Sequence, residues 1–141
     1  MERRKVLVVD DEMHLRIFLT TAFETAGYEV MAAPNGKKGL ELARELRPDL
    51  ITLDLMMPGE GGVTMYQGLQ LDPELRRIPV IMVSAVEART FLHSLKMMAA
   101  GRGEELPEPA AYEEKPPNPG RLVRLAAELL DGANPGPETP N

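Results

Sequence analysis

The chain has no cysteine, which rules out disulfides and thiolate metal sites. It has no apolar run approaching the length of a membrane span. The basic residues Arg3, Arg4 and Lys5 precede only Val6 to Val9 as an apolar stretch, too short for a signal-peptide core, so the expectation is a cytoplasmic protein. An excess of positive charge is also missing. The net charge is -6, which argues against a general nucleic-acid-binding surface. There is no internal repeat. Neither glycine-bearing loop is a phosphate loop: Gly59-Glu60-Gly61-Gly62 is not the dinucleotide pattern, and Asn35-Gly36-Lys37-Lys38 lacks a Ser or Thr after the lysine. What remains is one domain of 141 residues, large enough to bury roughly two thirds of its unfolded surface.

The stretch that organises the rest is Leu50-Ile51-Thr52-Leu53-Asp54-Leu55-Met56-Met57-Pro58-Gly59. A short apolar run bounded by turn signals reads as a strand buried on both faces, with Asp54 where it leaves the sheet. Val6 to Val9 is a second such run and ends in Asp10-Asp11-Glu12. Leu15, Phe18, Leu19, Ala22, Phe23 and Ala26 then share one helical face, and Gly27 stands at a C-cap position. Tyr28 to Ala33 reads as a strand. The next helix points Leu40, Ala43 and Leu46 inward and stops at Arg47, before Pro48.

Beyond the Asp54 strand, Val63 to Leu71 is a short helix and Pro79 to Val83 a strand ending in Ser84. A fourth helix has Ala88, Phe91, Leu92, Leu95 and Met98 on its face. Ala110 to Glu114 is a weak strand ending at Lys115. The last helix turns Leu122, Leu125, Ala126 and Leu129 inward. Five βα units imply a parallel sheet with helices on both faces. The expected domain is 1–131, followed by a disordered tail, 132–141, which carries three prolines.

Asp10, Asp11, Asp54, Ser84 and Lys115 all stand at strand ends. In the doubly wound order 2-1-3-4-5 those ends meet on one edge. Each residue has a plainer reading: Asp10-Asp11 and Ser84 as helix caps, Asp54 as a turn residue, Lys115 as a surface lysine. Their coincidence favours a site. Three packed carboxylates repel one another unless one keeps its proton or a cation lies between them. An all-oxygen donor set without histidine or cysteine suits Mg²⁺. Such a site supports phosphoryl transfer to a carboxylate nucleophile, with Lys115 and Ser84 each offering a donor to a phosphoryl oxygen.

Asp10-Asp11, Asp54 with Met57-Pro58 and Gly62, Ser84-Ala85 and Lys115-Pro116 occur in the order seen in receiver domains of two-component response regulators, and over residues 4–131 the chain resembles the stand-alone chemotaxis type. The resemblance implies an α/β flavodoxin-like three-layer sandwich. It implies a histidine kinase or phosphotransfer protein as donor and Asp54 as phosphoacceptor. It implies Mg²⁺ on Asp11, Asp54 and the main-chain carbonyl of Met56, with Asp10 assisting, and Ser84 and Lys115 on the phosphoryl group. Tyr112 matches the aromatic switch position; the plainer reading is an edge-strand aromatic. A downstream protein partner and a phosphorylation-dependent dimer belong to the same expectation, as does a signalling switch rather than an enzyme. No membrane or direct nucleic-acid partner is expected.

Three departures bear on the output face formed by the fourth and fifth helices and the fifth strand. The segment Gly101 to Pro109 is an insertion, Glu113 stands where an apolar residue is usual, and Pro117 follows Lys115-Pro116 in place of a bulky apolar residue. With two glycines, two prolines and three glutamates, the insertion reads as a mobile loop that cannot continue the fourth helix. Rival functions are a nucleotide-binding enzyme, a receiver-shaped module that is never phosphorylated, and a Mg²⁺-dependent aspartyl phosphatase. The last wants a second Asp two residues after the nucleophile, where this chain has Met56. His14 and His93 have no partner at ligand spacing and read as solvated or packed histidines. No output domain follows residue 131, so the expectation is action by docking alone or as part of a longer protein.

Overall fold

A computed structural model describes residues 3–55, 61–102 and 106–131. The tail 132–141, Met56 and Met57-Pro58 lie outside the described residues. The elements run β1 (Lys5–Val9), α1 (Met13–Thr25), β2 (Glu29–Ala33), α2 (Gly36–Leu46), β3 (Leu50–Leu53), α3 (Gly62–Leu71), β4 (Val80–Ser84), α4 (Ala88–Arg102), β5 (Ala111–Glu114) and α5 (Pro119–Leu130), with a 3-10 turn at Leu75–Arg77. The strands form one parallel sheet in the order β2-β1-β3-β4-β5, the doubly wound order expected from the sequence.

Period-two alternation divides the apolar strand residues between two layers. Leu7, Val9, Ile51, Leu53 and Met82 meet Ala43 of α2, Met65 and Leu69 of α3, and Phe91 and Leu95 of α4. Val6, Val8, Leu50, Ile81 and Val83 meet Leu19 and Phe23 of α1 and Leu122 and Ala126 of α5. β1, β3 and β4 are nearly continuous apolar runs, broken only by Lys5, Thr52 and Ser84, because both of their faces are covered.

Local chemistry sets the helix ends. Glu12 caps α1 by accepting the Leu15 N–H at 2.9 Å, Asn35 caps α2 through the Lys38 N–H at 2.8 Å, and Asn118 caps α5 through the Arg121 N–H at 2.9 Å. Gly27, at φ 103°, takes the left-handed conformation that ends α1. The Lys115-Pro116 peptide bond is cis.

Two expectations are corrected. Phe18 is 43% exposed and Ala26 is exposed too, although both share the apolar arc of α1. Leu19 and Phe23 are the buried residues of α1, with Leu15 packed beside them, and Phe18 is left at the rim of an apolar groove facing Pro119 and Val123 of α5. The Gly101–Pro109 segment is also less loop-like than its composition suggests. α4 continues through Gly101 to Arg102. Leu106 packs on the core layer beneath α3 and α4, and the Tyr66 hydroxyl of α3 donates to the Pro107 carbonyl at 2.7 Å. The described end of the insertion is therefore docked.

Candidate functional site

Parallel register brings the expected residues to one edge. β1 and β3 pair Val9 with Leu53, so Asp10 and Asp54 leave the sheet side by side. The Asp54 N–H donates to the Val9 carbonyl at 3.0 Å, and the Asp10 N–H to the Ala33 carbonyl at 3.2 Å. On the other side the Lys115 N–H donates to the Ser84 carbonyl at 2.8 Å. Main-chain hydrogen bonds thus fix the backbone under Asp10, Asp54 and Lys115 before any side-chain contact is counted.

Asp10 and Asp54 are buried, at 1% and 3% exposure, and Asp11 is exposed. One carboxylate oxygen from each of the three lies within 4.8 Å of the others. Lys115 Nζ sits 3.2 Å from Asp10 Oδ2 and 3.3 Å from Asp54 Oδ2. Burial lowers the pKa of the Lys115 ammonium, but the two carboxylates raise it by more, and the net shift is upward. The lysine is thereby held charged between two acids. Asp10 Oδ1 accepts the Glu12 N–H at 2.9 Å. Oδ2 is within ion-pair distance of Lys115 yet accepts no well-aligned hydrogen bond, so it retains lone-pair capacity. Buried carboxylates with such capacity, one ammonium and hard oxygen donors throughout fit a small divalent cation.

Glu12 caps α1, so Asp10 and Asp11 are not needed for it. Ser84 Oγ accepts the Val86 N–H at 3.1 Å, a turn contact within the β4–α4 connection; α4 itself begins at Ala88. Gly62 shows why glycine stands after the Asp54 loop: a Cβ there would run into the main-chain carbonyl of Asp54 and lie 2.8 Å from the Leu55 Cα. Tyr112 packs against Phe91 with ring centroids 5.2 Å apart, and its hydroxyl donates to the Val86 carbonyl at 2.5 Å. Burial raises the pKa of this phenol, and a hydrogen bond with Ser84 opposes the rise. Ser84, Val86 and Tyr112 are therefore one connected group. His14 and His93 are exposed and away from the acidic cluster.

Two contributors were not legible in the sequence. Arg16 Nη1 donates to the Asp10 main-chain carbonyl at 2.9 Å, steadying the acidic turn from α1; an arginine on an amphipathic helix gives no signal of this. Glu113, noted only as a departure, is a buried acid tied to the start of α5.

The sequence profile of the response regulator receiver domain matches residues 6–102. The chain belongs to this family. Among curated relatives, the polar-differentiation response regulator DivK of Brucella anthropi is 41% identical over 85 residues, which is 60% of this chain and 68% of DivK. The DNA-binding dual master transcriptional regulator RpaA of Synechocystis sp. is 33% identical over 96% of this chain, and the chain spans 58% of RpaA. Among solved structures, the chemotaxis response regulator CheY4 of Vibrio cholerae superposes with a TM-score of 0.77 at 25% identity, covering 92% of this receiver and 100% of CheY4. The receiver domain of a signal transduction histidine kinase from Syntrophus aciditrophicus gives 0.77 at 25% identity, covering 98% of both chains. The flavodoxin-like architecture expected from the sequence is the one these neighbours share.

Proposed function

We propose that this receiver accepts a phosphoryl group on Asp54 from a histidine kinase or phosphotransfer protein and thereby switches its α4–β5–α5 face. The observation that carries the reading is the placement of Lys115 Nζ at 3.2 Å and 3.3 Å from Asp10 and Asp54, beside three convergent carboxylates. An Asp54 oxygen attacks phosphorus, the P–N bond of the donor phosphohistidine breaks, and the imidazole leaves with its electron pair and takes a proton. Asp54 then carries an acyl phosphate. Asp10, Asp11 and Asp54 would hold Mg²⁺, with the Met56 carbonyl, outside the described residues, as the remaining protein ligand. Bound there, the cation supplies positive charge to the equatorial phosphoryl oxygens.

Lys115 would move from its ion pair with Asp54 to a phosphoryl oxygen. Ser84 would offer its hydroxyl to another, and a rotation of the side chain in doing so would release the Val86 N–H that its Oγ now accepts and, through Val86, the Tyr112 hydroxyl. The family membership supports a signalling switch over a turnover enzyme, with a cytoplasmic protein partner downstream. Among the described residues no helix is long and apolar enough to cross a membrane.

Incubation with acetyl phosphate and Mg²⁺ tests the reading. Acid-labile phosphate on Asp54 is the expected result. No incorporation would favour the unphosphorylated interaction module, and rapid multiple turnover of a phosphomonoester would favour the phosphatase.

A further inference from the structure

Glu113 is an acid in an apolar layer. It faces Val83 across β4–β5 on the side occupied by Leu122 and Ala126 of α5, and it is 3% exposed. A carboxylate removed from water costs several kcal/mol unless it is paired and hydrogen-bonded. Here Oε2 accepts the Asn118 N–H at 3.0 Å and Oε1 lies 3.6 Å from Arg121 Nη1. Asn118 also caps α5 through its own side chain.

These contacts close a short loop. It starts at Lys115, whose N–H is held by the Ser84 carbonyl at 2.8 Å, and it ends at Asn118, held by Glu113. Between them stand Pro116 and Pro117, whose rings fix φ and which have no N–H to anchor. Apart from Lys115 itself, Asn118 is the only residue of the loop able to donate a main-chain hydrogen bond, and Glu113 receives it. Two departures from the usual receiver pattern thus meet here, Pro117 within the loop and Glu113 on β5 holding its end.

We infer that Glu113 is a positioning residue for Lys115, holding the far end of the Lys115–Asn118 loop so that the ammonium stays between Asp10 and Asp54. The inference rests on the proposed function for its consequence on phosphate uptake, though not for its geometry.

The test compares Glu113→Gln, Glu113→Ala and Glu113→Leu in the full chain. Gln keeps an acceptor for the Asn118 N–H; Ala and Leu do not, and Leu preserves the buried volume. Three quantities are read: the initial rate of acid-labile phosphate uptake from acetyl phosphate with Mg²⁺, hydrogen exchange at the Asn118 amide, and the Lys115 Cε resonance in Mg²⁺-free protein. Ala and Leu are expected to lose about tenfold or more in uptake rate, to expose the Asn118 amide, and to move the Lys115 resonance to that of a solvated lysine. Gln is expected to retain at least about a third of the rate, with the Asn118 exchange and the Lys115 resonance near wild type. If Ala fails to fold, Leu decides. Wild-type rate, Asn118 exchange and Lys115 resonance in Leu, or a Gln variant that falls as far as Leu, would overturn the inference. A wild-type protein that takes up no phosphate would instead overturn the proposed function, leaving the Asn118 exchange and the Lys115 resonance to decide the role of Glu113.

Discussion

The two sides of β5 are secured by different means. Toward α5, Leu122 and Ala126 are fully buried against Val6, Leu19 and Phe23, and Glu113 adds a charged tie to the loop that carries Lys115. Toward α4, Phe91 and Leu95 reach the core, but an apolar groove of about 290 Å³ remains between them and Leu55 and Val63. There the connections on either side of α4 are held mainly by polar contacts: before the helix the Val86 N–H donates to Ser84 Oγ, the Tyr112 hydroxyl to the Val86 carbonyl and the Ala88 N–H to Glu114, and after it the Tyr66 hydroxyl donates to the Pro107 carbonyl beside Leu106. Apolar burial is gained along a whole helix face and is hard to lose locally. A neutral hydrogen bond contributes about 1 kcal/mol and can be exchanged for another. The α5 side therefore suits holding an ammonium in place, and the α4 side suits moving.

The sharpest way to break this contrast is Asp54→Asn. It is expected to abolish acid-labile phosphate and, with it, every phosphorylation-linked amide shift at Val86 and Tyr112, while α5 amides stay as in the unmodified protein. Labelling with radioactive phosphate and amide spectra check both parts; full labelling of the variant would remove Asp54 from the site.

Next in size is Leu122→Ala, which empties a fully buried position on the α5 side. Large-to-small changes at such sites cost roughly 2–5 kcal/mol. Leu95→Ala, beside the groove on the α4 side, should lie at or below the lower end of that range. Denaturant midpoints measure both, and equal losses would mean that α4 is packed as firmly as α5.

Lys115→Ala probes the link between the sides. It should leave Mg²⁺ binding in place and allow some phosphate uptake, yet erase the shift changes at Ser84 and Tyr112. Allosteric couplings amount to about 1–3 kcal/mol, within reach of one lost charge-assisted contact. A complete set of phosphorylation-linked shifts in this variant would place the coupling elsewhere.

The smallest effect is expected from Tyr66→Phe, about 0.5–1.5 kcal/mol for one hydrogen bond, and it carries a pH signature. Burial, with Glu108 adding to it, pushes the Tyr66 phenol from 10.0 up to about 12. Between those values the folded protein keeps a proton that the unfolded chain has released. Stability therefore falls as pH rises through that window and is unaffected by this group below it. The phenylalanine variant should lose less stability than wild type in alkaline melts above pH 10.0. An identical alkaline slope would show that the Tyr66–Pro107 tie is not maintained in solution.

Most of the strand-end site was legible because its determinants are local. Apolar runs such as Val6 to Val9 and Leu50 to Leu53 mark strands buried on both faces, and in a parallel sheet the residue after each run emerges on the same edge. Asp10, Asp54, Ser84 and Lys115 follow from that rule alone, and the observed register brings them together. Capping was less legible: Asn35 caps α2 though the sequence marks only a turn there, and the α1 cap for which Asp10-Asp11 were the alternative candidates is Glu12, one residue closer to the helix. The composition from Gly101 onward predicts an end to α4, yet the helix runs past it, since a glycine weakens a helix by only about 1 kcal/mol and the surrounding structure can supply that much.

By itself the sequence determined the alternation of strands and helices, the doubly wound layering and the identity of the residues at the sheet's carboxyl edge, all properties of short segments. Only the tertiary structure decided which part of an apolar arc is covered, leaving Phe18 outside and Leu19 within, and which distant groups complete a polar contact. Tyr66 meets Pro107 across 41 positions of chain, and Glu113 is acceptable in an apolar layer because the start of α5 folds back over it. Such pairings depend on where two separately formed elements come to rest, and the sequence near either partner holds no record of the other.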